Sequence, residues 1–451
     1  MLGTLISLLF VAAAAWLLVK KYNPQASLLL TGLAMLVVAP LIGLPFPELQ
    51  RPTGAHVFDL FAIIKESFSK TNASVGLMIM AIGGFVAYMD KIGASDVLVQ
   101  LTMRPLQLFK KNPYLAASMV IPIGQVLFIA IPSAAGLSLL LMASLFPILT
   151  RLGVSKISAA SVITASTVFG IGPACATTAS AIEIMDLDAV MYFLDYQIPL
   201  VWPLSLSMMV TYYFVNRHFD KKNAGGMEES TVNTTLQQAP AIYALLPILP
   251  IILLMVFSEL FSLFPTPVVL DTTTVMFISL FVAILFEGVR HRALKPLLNS
   301  LQVFWNGMGD IFKNVVTLII TADIFAKGLI SLGFIDGIIS ATQSAGFGAV
   351  GIGIAITIMI LLSAMLMGSG NAAFFAFGPL VPGIATQLQL AETALMLPMQ
   401  LAATMGRTIS PVAGVLIATA DLAGLTSIQI VKRNLIPVAV ALLLMLLLHF
   451  V

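Results

Sequence analysis

The strongest constraint on this chain is its set of long apolar runs that carry no charge at all: residues 2 to 19, 245 to 258 and 437 to 448 are each free of Asp, Glu, Lys and Arg. A membrane-crossing helix needs about 20 predominantly apolar residues, and these runs are rich in Leu, Ala, Ile and Met without alternation. A transmembrane barrel would instead show segments of roughly ten residues alternating in polarity. Only 9% of the 451 residues are charged and 59% are hydrophobic, against about 25% charged in soluble domains. A water-soluble fold is excluded, and an all-α polytopic membrane protein is expected.

The first run is followed, not preceded, by Lys20 and Lys21, and no small-residue cleavage site comes before them, so it is expected to be a span rather than a signal peptide. One cysteine, Cys175, and four histidines exclude a disulfide framework and a multi-cysteine metal site. A formal charge of +2 without basic clusters gives no reason to expect nucleic acid as a partner. No phosphate loop, nucleophile triad or metal motif is present. The chain is therefore expected not to be an enzyme, and to draw energy from gradients.

Residues 216 to 240 form the one long polar stretch and divide the chain near its middle. The halves resemble each other. Phe85-Val86-Ala87, Gly93 and Asp96 are matched by Phe325-Ala326-Lys327, Gly333 and Asp336 at an offset of 240, while Pro147 and Pro382, and Pro173 and Pro411, recur at 235 and 238. Punctuation repeated in one order at near-constant spacing indicates an internal repeat. The first half is expected to hold spans at 2–19, 27–44, 74–90, 157–182 and 197–215 with a hairpin at 114–150. The second is expected to hold spans at 241–258, 272–288, 311–331, 393–420 and 428–448 with a hairpin at 348–386. Five spans per half, an odd number, make the repeat inverted. Two joining segments, 97–109 and 293–304, are expected to be amphipathic interfacial helices.

With this topology the linker side receives sixteen of the 22 Lys and Arg and the opposite side only Arg51, Lys65 and Lys70; Lys313, Lys327 and Arg407 fall within or at the ends of spans. By the positive-inside rule the linker is expected to be cytoplasmic and both termini to face outward.

Inverted-repeat carriers bind substrate near the midplane between discontinuous helices. The candidate breaks are the hairpin turns Pro132-Ser133-Ala134-Ala135-Gly136 and Gly368-Ser369-Gly370-Asn371, and the interrupted spans at Ser166-Thr167 through Gly170, Gly172 and Pro173 and at Gly406-Arg407-Thr408-Ile409-Ser410-Pro411. All four occupy equivalent repeat positions. Neither turn is charged, which suits backbone buried in protein at membrane depth; tight packing by small residues is the structural alternative. Arg407 is the sharpest feature, because an arginine at the centre of a span costs about 2.5–3.5 kcal/mol on insertion scales. Its fork of donors fits a carboxylate, with Thr408 and Ser410 beside it; an internal salt bridge is the alternative. Asp323 and Lys327, four apart, fit a neutralising pair along one helix better than a proton relay. Cys175 fits a small buried filler, and Glu183, Asp186, Asp188 and Asp195 a solvated loop.

The stretches Met78-Ile79-Met80, Gly84-Phe85-Val86-Ala87-Tyr88-Met89, Ile92-Gly93-Ala94 and Leu140-Leu141-Met142-Ala143 to Pro147, and above all Gly368-Ser369-Gly370-Asn371-Ala372 and Gly406-Arg407-Thr408-Ile409-Ser410-Pro411-Val412, resemble the anaerobic C4-dicarboxylate carrier family of DcuC type, within the larger ion-transporter superfamily. The resemblance runs nearly end to end. It implies a secondary carrier for succinate, fumarate or malate in the bacterial inner membrane, working by exchange or by proton-coupled symport or antiport; the residues themselves leave H+ and Na+ both open as the coupling ion, and no other cofactor is expected. It also implies a homodimer in which a scaffold (residues 1–111 and 241–345) holds a mobile elevator-type transport domain (112–215 and 346–451). Ser133, Gly136, Ser166, Thr167, Gly368, Ser369, Gly370, Asn371, Arg407, Thr408 and Ser410 would then form the substrate site, with Asp323 and Lys327 open to a coupling role.

After Pro173, where the family pattern carries Thr-Ser-Gly-Asp, this chain reads Ala174-Cys175-Ala176-Thr177, and Asp323 and Lys327 stand where that pattern is neutral. Cargo of another kind, a monocarboxylate, hydroxy acid or amino-acid-like anion, is the alternative reading, and an anion channel a third.

Overall fold

A computed structural model describes residues 2–109, 111–222, 239–258, 268, 270–344 and 348–450. Most of the expected linker, residues 223–238, lies outside them, as do residues 1, 110, 259–267, 269, 345–347 and 451 of the expected domain divisions. The regular structure among the described residues is helical, with nine helices long and apolar enough to cross a membrane. This is a multi-pass membrane protein.

Among the described residues, ten α-helices of at least six residues precede the linker and ten follow it. The first ten are α1 (Leu2–Val19), α2 (Pro24–Leu41), α3 (His56–Lys91), α4 (Ala94–Met103), α5 (Pro113–Ala130), α6 (Ala134–Ser144), α7 (Phe146–Arg151), α8 (Lys156–Ala165), α9 (Ala176–Met185) and α10 (Ile198–Lys222). The second ten are α11 (Leu249–Val256), α12 (Thr272–His291), α13 (Leu294–Ser331), α14 (Phe334–Ser344), α15 (Ala349–Met367), α16 (Gly370–Phe377), α17 (Val381–Leu388), α18 (Glu392–Thr408), α19 (Gly414–Ala423) and α20 (Ser427–Phe450). Wide π turns interrupt α3 at Asn72–Gly76 and α13 at Phe312–Val316, again 240 residues apart. Gly93 and Gly333, both at positive φ, supply the left-handed turn into α4 and α14 that a Cβ would disfavour.

Both hairpins and both interrupted spans fall where the punctuation puts them. Asn112 and Ser155 cap α5 and α8 by accepting from the amides of Leu115 and Ser158, which satisfies donors that a helix start leaves open. Other expectations are corrected. Residues 293–304 are not a separate helix but the first turns of α13, which continues through its π turn to Ser331, because its small residues let it pack along the second part of α3: Gly307 sits against Ala87 and Gly83. Residues 97–109 form α4 and a 3-10 turn at Arg104–Phe109. Ala94 to Val99 and Met103 are buried under the hairpin α5–α6 and residues 241–245, so the first part of this segment packs inside the protein, while Gln100, Arg104 and Pro105 are exposed.

The expected span 241–258 is a 3-10 turn at Ala241–Leu245 followed by the eight residues of α11. Pro247 and Pro250 withhold the backbone donors that a continuous helix would need there. Finally, α10 continues to Lys222, seven residues into the expected linker. Asp220 holds it there, paired with Arg433 of α20 at 3.1 Å and accepting from Ser155 and Ser158.

Candidate functional site

The two interrupted helices face each other, braced by the hairpins. α5 packs on α8 and α15 on α18, α6 lies against α8 and α19, and α16 against α18 and α9. Each hairpin's second arm therefore touches the broken helix of its own half and that of the other.

Between α8 and α9 the backbone from Ser166 to Cys175 is non-helical and wholly buried. Buried peptide groups in such a segment must be satisfied by side chains, and three glutamines do this. Gln125 of α5 donates to the Phe169 carbonyl at 2.6 Å and accepts from its amide at 3.4 Å. Gln197 accepts from the Gly172 amide at 2.9 Å. Gln400 of α18 donates to the Gly170 carbonyl at 2.8 Å and to Thr177 and Thr178 at 3.3 and 2.9 Å, while its own carbonyl accepts from Tyr192 at 2.9 Å and Gln197 at 3.3 Å. The Gly170 amide donates to Thr404. At the second break Asn434 of α20 donates to the Thr408 carbonyl at 2.9 Å and to Thr164 at 3.2 Å, and accepts from Tyr212. Ser427 donates to the Pro411 carbonyl at 2.7 Å.

Arg407 sits in the last turn of α18, where a cation opposes the negative end of the helix. Its Nη2 donates to the carbonyl of Thr167 at 2.6 Å. Its Nε is fully buried and has no acceptor, and among the described residues no carboxylate lies within 4.0 Å of the guanidinium. The internal salt bridge is thus not formed among the described residues. A buried N–H left without a partner costs about 1–3 kcal/mol, so the guanidinium retains capacity for an acceptor from outside the chain.

The hairpin tips are built on serine caps. Ser133 Oγ accepts from the Gly136 amide at 3.1 Å at the start of α6, and Ser369 Oγ from the Ala372 amide at 3.2 Å at the start of α16. Gly368 has φ +71° and lies so close to the second break that a Cβ there would be 2.8 Å from the Val412 carbonyl oxygen. At Gly370 a Cβ would be 2.6 Å from the Ala403 carbonyl oxygen. Glycine is required at both, and the tip of the second hairpin is thereby seated against α18 and the break after it. Asn371 is half-buried in the first turn of α16.

Of the residues expected at the site, the structure therefore brings Gly368, Ser369, Gly370 and Asn371 to the second break, and Thr167 to Arg407. Ser166, Thr167 and Thr408 are buried with their hydroxyls turned back onto carbonyls of their own helices, and Ser410 accepts from the Val412 amide. Ser133 and Gly136 lie in the α6 arm, packed against α19; no hydrogen bond joins them to Arg407 among the described residues. Cys175 is buried beside Thr177, at 3.3 Å.

Asp323 and Lys327 do pair, at 2.7 Å, but they bond to Ser67 of α3 rather than to either break. Sequence reasoning missed Gln125, Gln197, Gln400 and Asn434. The available signal was a lone amide side chain in an apolar stretch, since such groups bind across helices in membranes.

The chain matches the DcuC family, described as C4-dicarboxylate anaerobic carrier, over residues 2–451. It is 33% identical over 444 residues to the protein named "Probable anaerobic C4-dicarboxylate transporter DcuC" of Vibrio cholerae, covering 98% of this chain and 96% of that one. It is 32% identical over 439 residues to the anaerobic C4-dicarboxylate transporter DcuC of Escherichia coli K12, covering 97% and 94%. In fold it is similar to the Alcanivorax borkumensis YdaH transporter (TM-score 0.62, 14% identity, covering 95% of this chain and 98% of that one) and to Neisseria gonorrhoeae MtrF (TM-score 0.62, 14% identity, 96% of each). These relatives are transporters and not enzymes, and the chain itself belongs to the DcuC family of anaerobic C4-dicarboxylate carriers.

Proposed function

We propose that this protein is a secondary carrier of C4-dicarboxylates such as succinate, fumarate and malate, and that Arg407 anchors one substrate carboxylate. The observation that carries the reading is the buried Nε of Arg407, which among the described residues has no acceptor and no neighbouring carboxylate. With Nη2 held on Thr167, the guanidinium is fixed in place before substrate arrives, so little freedom is lost on binding. The starts of α6 and α16 add open backbone donors and the positive end of a helix dipole, with Ser133, Gly136, Ser369, Gly370 and Asn371 around them. Ser166, Thr167, Thr408 and Ser410 shape the breaks.

In this reading the chain is an inverted repeat working as an elevator in the bacterial inner membrane, with a cytoplasmic linker and periplasmic termini. Residues 1–111 and 241–345 are the scaffold, 112–215 and 346–451 the moving part. The recurrence of π turns, left-handed glycines and serine-capped hairpins at near-constant offsets supports the repeat, and the charge bias supports the orientation. The packing of α13 on α2 and α3, and of α5, α8, α10, α15, α18 and α20 on one another, supports the division. A homodimer completes it. Transport runs as exchange or is coupled to H+ or Na+, and Asp323 and Lys327 serve as a structural pair.

The test is uptake of labelled succinate into proteoliposomes preloaded with fumarate, succinate or buffer, beside Arg407→Ala. Acceleration by internal dicarboxylate that is lost in the variant is the expected result. No saturable uptake under any loading would remove C4-dicarboxylates and turn the search to hydroxy acids, monocarboxylates and amino-acid-like anions, and non-saturating flux without counter-transport would indicate an anion channel.

A further inference from the structure

The π turns of α3 and α13 mark equivalent places where each long helix crosses the other, yet the two crossings differ. At one, Gly307 of α13 meets Gly83, Gly84 and Ala87 of α3 so closely that a Cβ on Gly307 would be 2.7 Å from that of Ala87. Shifted by 240, the same positions are Ser67 against Asp323, Ile324 and Lys327. There Ser67 donates to Asp323 at 2.7 Å and Lys327 donates to Ser67 at 2.9 Å. One crossing is closed by small residues, and beside the other lies a cavity of about 800 Å³ whose lining includes Thr53, Ala62, Ser69 and Lys327.

The chemistry of that cavity is two-sided. Arg51, Lys65, Lys70 and Lys327 line it with a single carboxylate, Glu66, which accepts from the Arg51 amide. Lys327 is neutralised by Asp323, leaving three cations against one acid. Phe58 and Phe61, 65% and 66% exposed, share the lining. They precede Lys65 on one stripe of the helix, spaced three and four residues apart.

Thirty-six residues of helix span about 54 Å at 1.5 Å per residue, more than the roughly 30 Å of a hydrocarbon core. One end of α3 must therefore leave the core, and Ser74, with non-helical φ and ψ inside the π turn, breaks the helix between its charged arm and its apolar one. Arg51, Lys65 and Lys70 are the same three cations that the charge bias assigns to the face opposite the linker.

We propose that this cavity binds an anionic phospholipid, its phosphate held by Arg51, Lys65 and Lys70 and its upper acyl chain lying on Phe58 and Phe61. A small dicarboxylate would use the cations but not the exposed rings, and a zwitterionic lipid would use the rings but not the net positive charge. Lipid seated there fills the opening that small residues close at the equivalent crossing.

The test is native mass spectrometry of the full-length protein in mild detergent, titrated with phosphatidylglycerol or with phosphatidylcholine of the same chains, with inorganic phosphate and succinate as competitors. Phosphatidylglycerol is expected to bind about tenfold more tightly, a difference of about 1.4 kcal/mol. Arg51→Gln/Lys65→Gln/Lys70→Gln should lower it to the phosphatidylcholine level, while Lys65→Arg/Lys70→Arg, which keeps the charge, retains it. Phe58→Ala/Phe61→Ala should weaken both lipids.

Equal binding of the two lipids, or unchanged binding in the glutamine variant, would overturn the proposal. So would displacement of lipid by succinate or phosphate at millimolar concentration, which would mark a small-anion site, and so would conversion of a dimer to monomers by the glutamine variant, which would mark a contact between copies.

Discussion

The guanidinium of Arg407 donates to the backbone carbonyl of Thr167 at 2.6 Å, joining residues 240 positions apart, each in the break of its own half. The contact fixes one edge of the fork and leaves the buried Nε facing no acceptor. It also makes Arg407 a brace of the first break, so its removal has two effects that must be told apart.

Arg407→Lys keeps the charge but loses the planar fork. It is expected to weaken succinate binding by about 10- to 100-fold, corresponding to the roughly 1.5–3 kcal/mol of a hydrogen bond to a charged group. The readout is the half-saturating succinate concentration in proteoliposome exchange, with thermal unfolding in detergent run alongside. Wild-type affinity in this variant would remove Arg407 from the site.

Gln400→Leu strips the central amide of the first break and leaves at least the Gly170 carbonyl and the Tyr192 hydroxyl without that partner. At about 1–3 kcal/mol for each buried group left unsatisfied, a loss of about 2–4 kcal/mol in stability is expected. Tyr192→Phe, which removes one bond, should cost about 1 kcal/mol. Unfolding temperatures in one detergent compare the two, and an equal drop would contradict the hub.

Gly406→Ala places a Cβ 2.3 Å from the Leu361 carbonyl oxygen of α15. Backbone cannot yield there as a flexible side chain would, so overpacking is expected to cost about 1–3 kcal/mol and to push α15 away from α18 next to Arg407. Exchange should slow even at temperatures where the protein stays folded, as measured by initial rates against unfolding midpoints.

Arg433 and Asp220, each 6% exposed, form a buried pair beside Ser155, Ser158 and Asn216. Arg433→Met leaves Asp220 buried without its cation and is expected to cost about 3–5 kcal/mol. Combining it with Asp220→Leu should recover much of the loss. A double variant as unstable as the sum of the singles would show that the pair is not the coupling element.

Asp323 and Lys327 are about 30% exposed and pair within one helix next to Ser67. Each single neutralisation should slow transport or lower stability more than Asp323→Asn/Lys327→Gln does, and the double variant should exchange at close to the parent rate with the parent pH dependence. Loss of pH dependence in the double variant would instead make the pair part of coupling.

Much of this architecture was legible because membrane folding rewards local patterns. Residues 2 to 19 became α1 with unchanged bounds, and Gly368 with Ser369 became a left-handed C-cap followed by a serine N-cap, since apolar length and turn chemistry act within a few residues. Residues 293–304 misled for the opposite reason. Their amphipathic pattern, with Leu294 and Leu298 exposed, does not say where the helix ends, and Gly307 against Ala87, a contact between residues 220 apart, lets it run on into the rest of α13. Asp220 misled likewise: in a polar stretch it reads as solvated, and only Arg433, brought from α20, buries it.

By itself the sequence determined that the chain spans a membrane many times, where its helices break and that Arg407 stands at one of the breaks. Apolar run length, proline, glycine and charge impose these locally, because an unpaired peptide group or a charge in hydrocarbon is costly wherever it occurs. Tertiary structure decided what satisfies the breaks. Gln125, Gln197, Gln400 and Asn434 reach backbone groups on other helices, and only the packing of helices far apart in the chain determines which peptide groups are already bonded and that the Nε of Arg407 is left without a partner.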